Sequence, residues 1–242
     1  MDFSKQSSLA VLLISLLVLS SFVAIGQEGS NPTGTTVLAT VNGNKITRQE
    51  LTRASQVQRV VMSLSRQYRT FAQFLMSSNE GQDFLEEYRK HVLDQLINQE
   101  ITKQKIEELS ITVSDEAVQS EITKIIEGNK QFSNKSDLEN YLKKNQKMSM
   151  ADLKSRIKQN LKAQKLRGKV TDKVTVSEEE IKSFYESNKK NYTDKQGNVT
   201  PLKEVKGQIE DTLKSRKQNK AYSEWLKETR KKADVEKNSD KL

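Results

Sequence analysis

Few residues in this 242-residue chain are of types that make or break bonds, and their spacing argues against a catalytic centre. There is no Cys, which excludes a disulfide framework, a thiol nucleophile and a thiolate metal site. The single histidine, His91, could serve a Ser-His-Asp triad but not a two-His metal site within one chain. It adjoins Val92 in a run with helical apolar spacing, so it reads as a half-exposed helix position; nothing in its surroundings supports a pH switch. The carboxylates Glu178-Glu179-Glu180 resemble an acid pair or a set of metal ligands. They directly follow Ser177, and Ser177 with Glu180 makes a capping box at the positive end of a helix. Asn134, Asn191 and Asn198 open Asn-x-Ser/Thr triplets, which matter only in a glycosylating host. No Gly-rich phosphate loop is present, and no catalytic residue, metal or cofactor is expected.

The residues suited to binding are apolar and flexible. Met62, Tyr68, Phe71, Phe74, Leu75 and Met76 form the densest group of large apolar side chains outside the leader, and Met148 and Met150 flank a later helix start. Methionine-rich surfaces repack around varied partners. Each of these residues can equally be ordinary core. At 3.6 residues per turn, however, Phe74 and Met76 lie about 200° apart, so the group wraps around its helix. A helix apolar on more than one side must bury both sides or leave one for a partner.

The elements that would position this group are helices. Two Pro and nine Gly are few for the length, and a 34% apolar and 6% aromatic content permits amphipathic helices over a thin core. Val37–Val41 is β-prone and Asn42-Gly43 is the strongest two-residue hairpin signal, with Lys45-Ile46 returning. Thr47 with Glu50 opens a helix expected to run unbroken to Ser77, and Asn79-Glu80-Gly81 is expected to break the chain before a helix over 82–109. Ser114 caps the next helix, Ser136 with Glu139 suggests a further capping box, and Ser149 starts a helix to about Gly168. Another follows Ser177, and a closing helix spans 202–232. Val235 and its neighbours are expected to pair with Leu38–Val41, and 237–242 to be a disordered tail.

Residues 1–26 read as a signal peptide or membrane anchor: Lys5 precedes an apolar run from Leu9 to Ile25, and Ala24-Ile25-Gly26 offers a cleavage site. If uncleaved, residues 9–25 are just long enough to anchor the chain in a bilayer. Either outcome places the body outside the cytoplasm, in a periplasmic or similar compartment. Residues 27–36 form a linker, 37–236 the helical domain, and a lobe boundary is expected near 170–177. The net charge of +9 is spread among acidic residues with no basic block and no interleaved aromatics, which speaks against nucleic acid.

The order of these pieces resembles the chaperone module of SurA, PrsA and related parvulin-type foldases. The likeness begins at Val37 through Leu51, where a strand, a turn and a capping Thr lead into a long helix. It continues at Val174 through Ile181 with Phe184-Tyr185, and ends at Val205 through Ile209, Trp225-Leu226 and Lys232 through Glu236. The resemblance implies a mainly α fold: an elongated helical module, similar to SurA N-terminal and trigger-factor modules, with a minimal β pairing of its N- and C-terminal segments. It also implies binding of unfolded or nascent exported polypeptides without ATP. In isomerase-bearing members a parvulin domain lies between the second and third of these motifs. Here only residues 192–201 separate Asn191 from Leu202, so no prolyl isomerase activity is expected. An adaptor that holds one envelope partner, or an inactive relative that assists a separate isomerase, are the other readings. A homodimer and the identity of the clients stay open.

Overall fold

The computed structural model describes residues 35–193 and 196–241. The expected leader and most of the linker lie outside the described residues. The described residues form two compact units, one of residues 35–163 together with 232–241, the other within 164–231.

In the first unit, β1 (Val37–Val41) and β2 (Asn44–Thr47) form a hairpin with Val41 opposite Asn44. The turn residues Asn42 and Gly43 have φ of 49° and 84°, the left-handed pair that a two-residue turn needs to match strand twist. β3 (Val235–Lys237) pairs antiparallel with the other edge of β1, Val41 facing Val235 and Ala39 facing Lys237, as the sequence led us to expect. Strand order is thus β2-β1-β3. Leu38, Ala39 and Val41 are completely buried.

Thr47 closes a full capping box with Glu50, and α1 (Arg48–Ser55) begins there. It does not run on to Ser77. Gln56 turns left-handed (φ 50°), α2 (Val57–Gln67) follows, Tyr68 leaves the helical region again, and α3 (Arg69–Ser77) completes the segment. Neither Gly nor Pro marks the breaks. The bends bring α1 and α3 against α4 (Asn79–Glu108), which a straight rod could not do. The expected break at Asn79-Glu80-Gly81 is instead the first turn of α4. Ser78 caps it: its Oγ accepts from Gly81 N at 3.0 Å and donates to the Phe74 carbonyl at 2.7 Å.

The sheet rests on α4, a rod of about 45 Å at 1.5 Å per residue. Gln104 Nε2 donates to the Val41 carbonyl at 2.9 Å, and Asn44 Nδ2 donates to Glu100 at 2.5 Å. Lys237 pairs with Asp94 at 2.6 Å. The chain beyond β3 keeps to the same sheet: Asn238 N donates to the Leu38 carbonyl at 2.9 Å, and a 3-10 turn covers Ser239–Lys241. That corrects the expectation of a disordered tail, because the unpaired edge of a short sheet supplies backbone partners.

α5 (Asp115–Glu127), α6 (Lys135–Tyr141) with the π turn after it, and α7 (Met150–Val170) enclose a second core of Val113, Val118, Ile122, Phe132, Leu138, Leu142, Leu153 and Ile157. Ser114 caps α5 and Ser149 caps α7 as expected. The expected Ser136–Glu139 box is absent. Asn134 caps α6 through bonds from the Ser136 and Asp137 amides, so the helix starts one residue before Ser136.

The unit boundary falls at Gln164 within α7, earlier than the 170–177 link. In the second unit, α8 (Glu178–Ser187) packs Ile181 and Tyr185 against Ile209 of α9 (Leu202–Lys232). Between them the chain makes a tight return in which Thr200 N donates to the Tyr192 carbonyl at 2.8 Å and Thr193 bridges to Val199.

Three glycines lie within helices and separate close approach from open space. A Cβ on Gly81 would meet the Phe74 carbonyl oxygen and sit 2.6 Å from Leu75 Cα, backbone that cannot move aside cheaply; Gly168 and Gly207 have nothing within 4 Å. Gly81→Ala should therefore lower stability by about 1–3 kcal/mol. Gly168→Ala and Gly207→Ala should each raise it by about 0.5–1 kcal/mol. Urea unfolding followed by circular dichroism reads all three.

Candidate functional site

The apolar group singled out in the sequence divides in the structure. α2 has spaced apolar residues and yet buries none of its side chains. α3 buries only Ala72 and Leu75. Leu75, 6% exposed, is therefore core, a correction to its reading as a contact residue: it lies on the row that faces α4. Phe71, Phe74 and Met76 are 52%, 48% and 54% exposed, and Met62 and Tyr68 are exposed as well. Met148 and Met150 belong elsewhere. Both are half-buried against the core between α5 and α7, where a flexible thioether fills the gap at a helix start. They line no shared surface with the α2–α3 group.

The structure adds Val60 and Phe84 to that surface, Phe84 being 61% exposed. Phe84 follows the segment read as a break, and only the continuous first turns of α4 set it beside α3. Val60 shares a helical stripe with Val57 and Leu64, and nothing in the sequence tells which of these a neighbour covers. The result is an arm of α2 and α3, with the first turns of α4 beside them, that presents Val60, Met62, Tyr68, Phe71, Phe74, Met76 and Phe84 to solvent. It is braced at its base: Tyr88 of α4 donates to the Ser55 carbonyl at 3.2 Å, and Gly81 lets α3 and α4 approach closely.

The candidate catalytic groups have structural employment. His91 is exposed on α4, its Nε2 3.0 Å from the Gln95 side-chain amide. Ser177 and Glu180 close the capping box; Glu180 also pairs with Lys217 at 2.8 Å, and Glu178 pairs with Lys206. The Lys217 ammonium and then the Ser177 amide hold the Glu180 carboxyl below the usual carboxylate range. Bonds from its own amide and from Ser177 lower that of Glu179. Among the described residues no group of three His, Asp or Glu side chains could hold a metal ion, and no helix is long and apolar enough to cross a membrane.

The described chain thus combines a braced helical arm that exposes aromatic and thioether groups with a sheet that joins its two ends. The chain belongs to the SurA-like N-terminal domain family, whose model matches residues 1–167, and with it to the helical chaperone modules of the SurA/PrsA type. It is similar to the foldase protein PrsA of Clostridium botulinum strain Okra, 26% identical over 196 residues that cover 79% of this chain and 57% of that protein. A second PrsA foldase, from Caldanaerobacter subterraneus subsp. tengcongensis, is 28% identical over 189 residues, 77% of this chain and 54% of its own length. The chain thus spans little more than half the length of these relatives. One solved structure of a SurA-like chaperone from Campylobacter jejuni shares the fold, with a TM-score of 0.55 at 14% identity over 84% of this chain and 99% of that one.

The Glu180 cap gives the second unit an acid limit. A carboxyl held below its unfolded value of about 4.3 contributes stability that is present above that pH and is lost as pH falls through the folded value. Glu180→Gln should lower stability at neutral pH and flatten its decline on the acid side. Urea titrations between about pH 3 and 7, read by Trp225 fluorescence, will show a parallel decline instead if the carboxylate is irrelevant.

Proposed function

We propose that this chain is an ATP-independent holdase for unfolded exported polypeptides, acting outside the cytoplasm and without prolyl isomerase activity. The observation that carries the reading is the surface of α2, α3 and the first turns of α4, where α2 buries no side chain fully and Phe71, Phe74, Met76 and Phe84 stand about half exposed. Contiguous exposed apolar surface marks an interaction site. Aromatic rings supply large contact area, and thioethers adapt to different sequences. The bent arm touches the rest of its unit mainly through α1 and α3, so α2 can engage a client without disturbing the core. The short return between Tyr192 and Leu202, closed by Tyr185 Oη donating to the Thr200 carbonyl at 2.8 Å, supports the absence of an inserted isomerase at that point. The apolar leader motif and the extracytoplasmic likeness in sequence support the compartment.

Two measurements test this. Phe71→Ser, Phe74→Ser and Met76→Ser should each change stability by no more than about 0.5 kcal/mol, because they sit at the surface, while Leu75→Ala should cost about 2–5 kcal/mol. The triple Ser variant should melt close to the parent and lose most of its suppression of client aggregation; undiminished suppression would move the holding surface elsewhere. In a proline-limited refolding assay the parent should leave the slow phase at its uncatalysed tens to hundreds of seconds. Acceleration that copurifies with the chain would refute the non-enzymatic reading.

A further inference from the structure

Between Leu51 and Asn79 the chain has no Asp and no Glu, and its only charges are four arginines: Arg53, Arg59, Arg66 and Arg69. A second acid-free run, residues 153–171, is charged mainly by lysine, and its Lys158 pairs with Asp115 at 3.1 Å. All four arginines are exposed, and none pairs with a carboxylate of the described residues. Neighbouring cations are differently placed: Lys90 on α4 is held by Glu86 and Glu87 at 2.8 and 2.9 Å. Of the acidic residues that flank the segment, Glu50 closes the capping box with Thr47, and Glu80 and Asp83 stand in the opening turns of α4, where they complement its positive end.

Three of the guanidinium groups share helix rows with the exposed thioethers. In α2, Arg59, Met62 and Arg66 occupy positions i, i+3 and i+7, one exposed row opposite the half-buried stripe of Val57, Val61 and Leu64. In α3, Arg69 and Met76 are likewise seven residues apart on one row, while Phe71 and Phe74 lie on the opposite side of the helix. A helix that lies in a lipid interface segregates its cations from its exposed apolar face. In this arm each exposed thioether instead shares its row with a guanidinium, Met62 with Arg59 and Arg66 and Met76 with Arg69, while the stripe of α2 opposite is half-buried. A mixed surface of that kind fits a chain whose own apolar and acidic side chains alternate at short range.

We propose that the arm selects polypeptide segments in which Asp or Glu stands beside large apolar residues. This rests on the holdase reading and specifies its client class. Guanidinium is weakly hydrated, can grip a carboxylate through two parallel bonds and stacks on aromatic rings, so it adds directional attraction where apolar contact alone is indifferent to sequence. Among the described residues no carboxylate pairs with these four groups, which leaves them available to a client carboxylate.

Two unstructured peptides of equal length and equal Phe, Leu and Met content, one with Glu and one with Lys between the apolar residues, provide the probes. Fluorescence anisotropy with the full chain should show the Glu peptide binding about tenfold tighter at low salt, a difference of about 1.4 kcal/mol. The preference should shrink towards unity near 1 M salt, where the screening length is about 3 Å. The variant R53Q/R59Q/R66Q/R69Q should bind both peptides equally, at the parent's affinity for the Lys peptide. Should that variant melt early, the single reversal Arg66→Glu should still reduce the preference. Equal parental affinity for both peptides overturns the selectivity and leaves holding intact; failure to bind either overturns holding as well. A preference that survives removal of the arginines assigns it to another surface. Arginine-dependent binding to phosphatidylglycerol vesicles with no peptide preference overturns it in favour of a lipid partner.

Discussion

β1 is the strand on which the first unit depends, because it is hydrogen-bonded on both edges by segments almost two hundred residues apart in the chain. Its partner on one side is the hairpin strand β2, which costs little loop entropy to bring into place. Its partner on the other side is β3, which arrives only after every helix has been traversed. Isolated two-stranded ribbons of this length are marginal in water. The sheet persists because Leu38, Ala39 and Val41 are buried completely against α4, and because Gln104, Glu100 and Asp94 on that helix anchor the turn and the strand edges. The long helix and the small sheet thus stabilise one another, and α1 and α3 pack against that pair.

A chain with 34% apolar residues cannot bury a large core, and the apolar side chains divide among separate clusters. Each cluster is lined mainly by aliphatic residues, Ile and Leu above all, while most of the scarce phenylalanines of the described region lie at the surface. Phe132 is an exception, buried and edge-on to Tyr141 at 5.4 Å between ring centres. Phe71, Phe74 and Phe84 could each stabilise a core by a few kcal/mol if buried. Their placement at the surface forgoes that stabilisation, and Phe71 and Phe74 fall within the stretch 51–79, which holds no acidic residue. Apolar exposure and charge segregation coincide on one element, which gives the surface both adhesion and a preference.

In the second unit polar interactions do much of the organising. Glu180 terminates α8 and reaches Lys217 on α9, Arg216 lies over the Phe184 ring at 5.2 Å, and Arg167 over the Tyr222 ring at 5.3 Å. These contacts lie at the surface, where each is worth little alone. Together they align α8 and α9 around a core whose buried members are Ile181, Tyr185 and Ile209. The carboxylates that looked most like reactive groups in the sequence therefore act as helix caps and alignment pairs.

The sequence by itself determined what is governed locally. Asn42-Gly43 dictates a left-handed two-residue turn, Thr47, Ser114, Ser149 and Ser177 mark helix starts through bonds to amides at most three residues away, and the spacing of Leu202, Val205 and Ile209 defines a helix stripe. The order of those signals also made the family resemblance and the closing strand legible. Only the tertiary structure decided where a continuous helical pattern bends and which of its apolar residues are covered. Gln56 and Tyr68 carry no breaker signal. They leave the helix because bending lets α1 and α3 bury Leu51, Ala72 and Leu75 against α4, a gain no local rule registers. For the same reason Phe74 and Leu75, adjacent and equally apolar, part company: helical geometry turns one towards α4 and the other to solvent, and the position of the neighbouring helix decides which becomes core and which becomes surface.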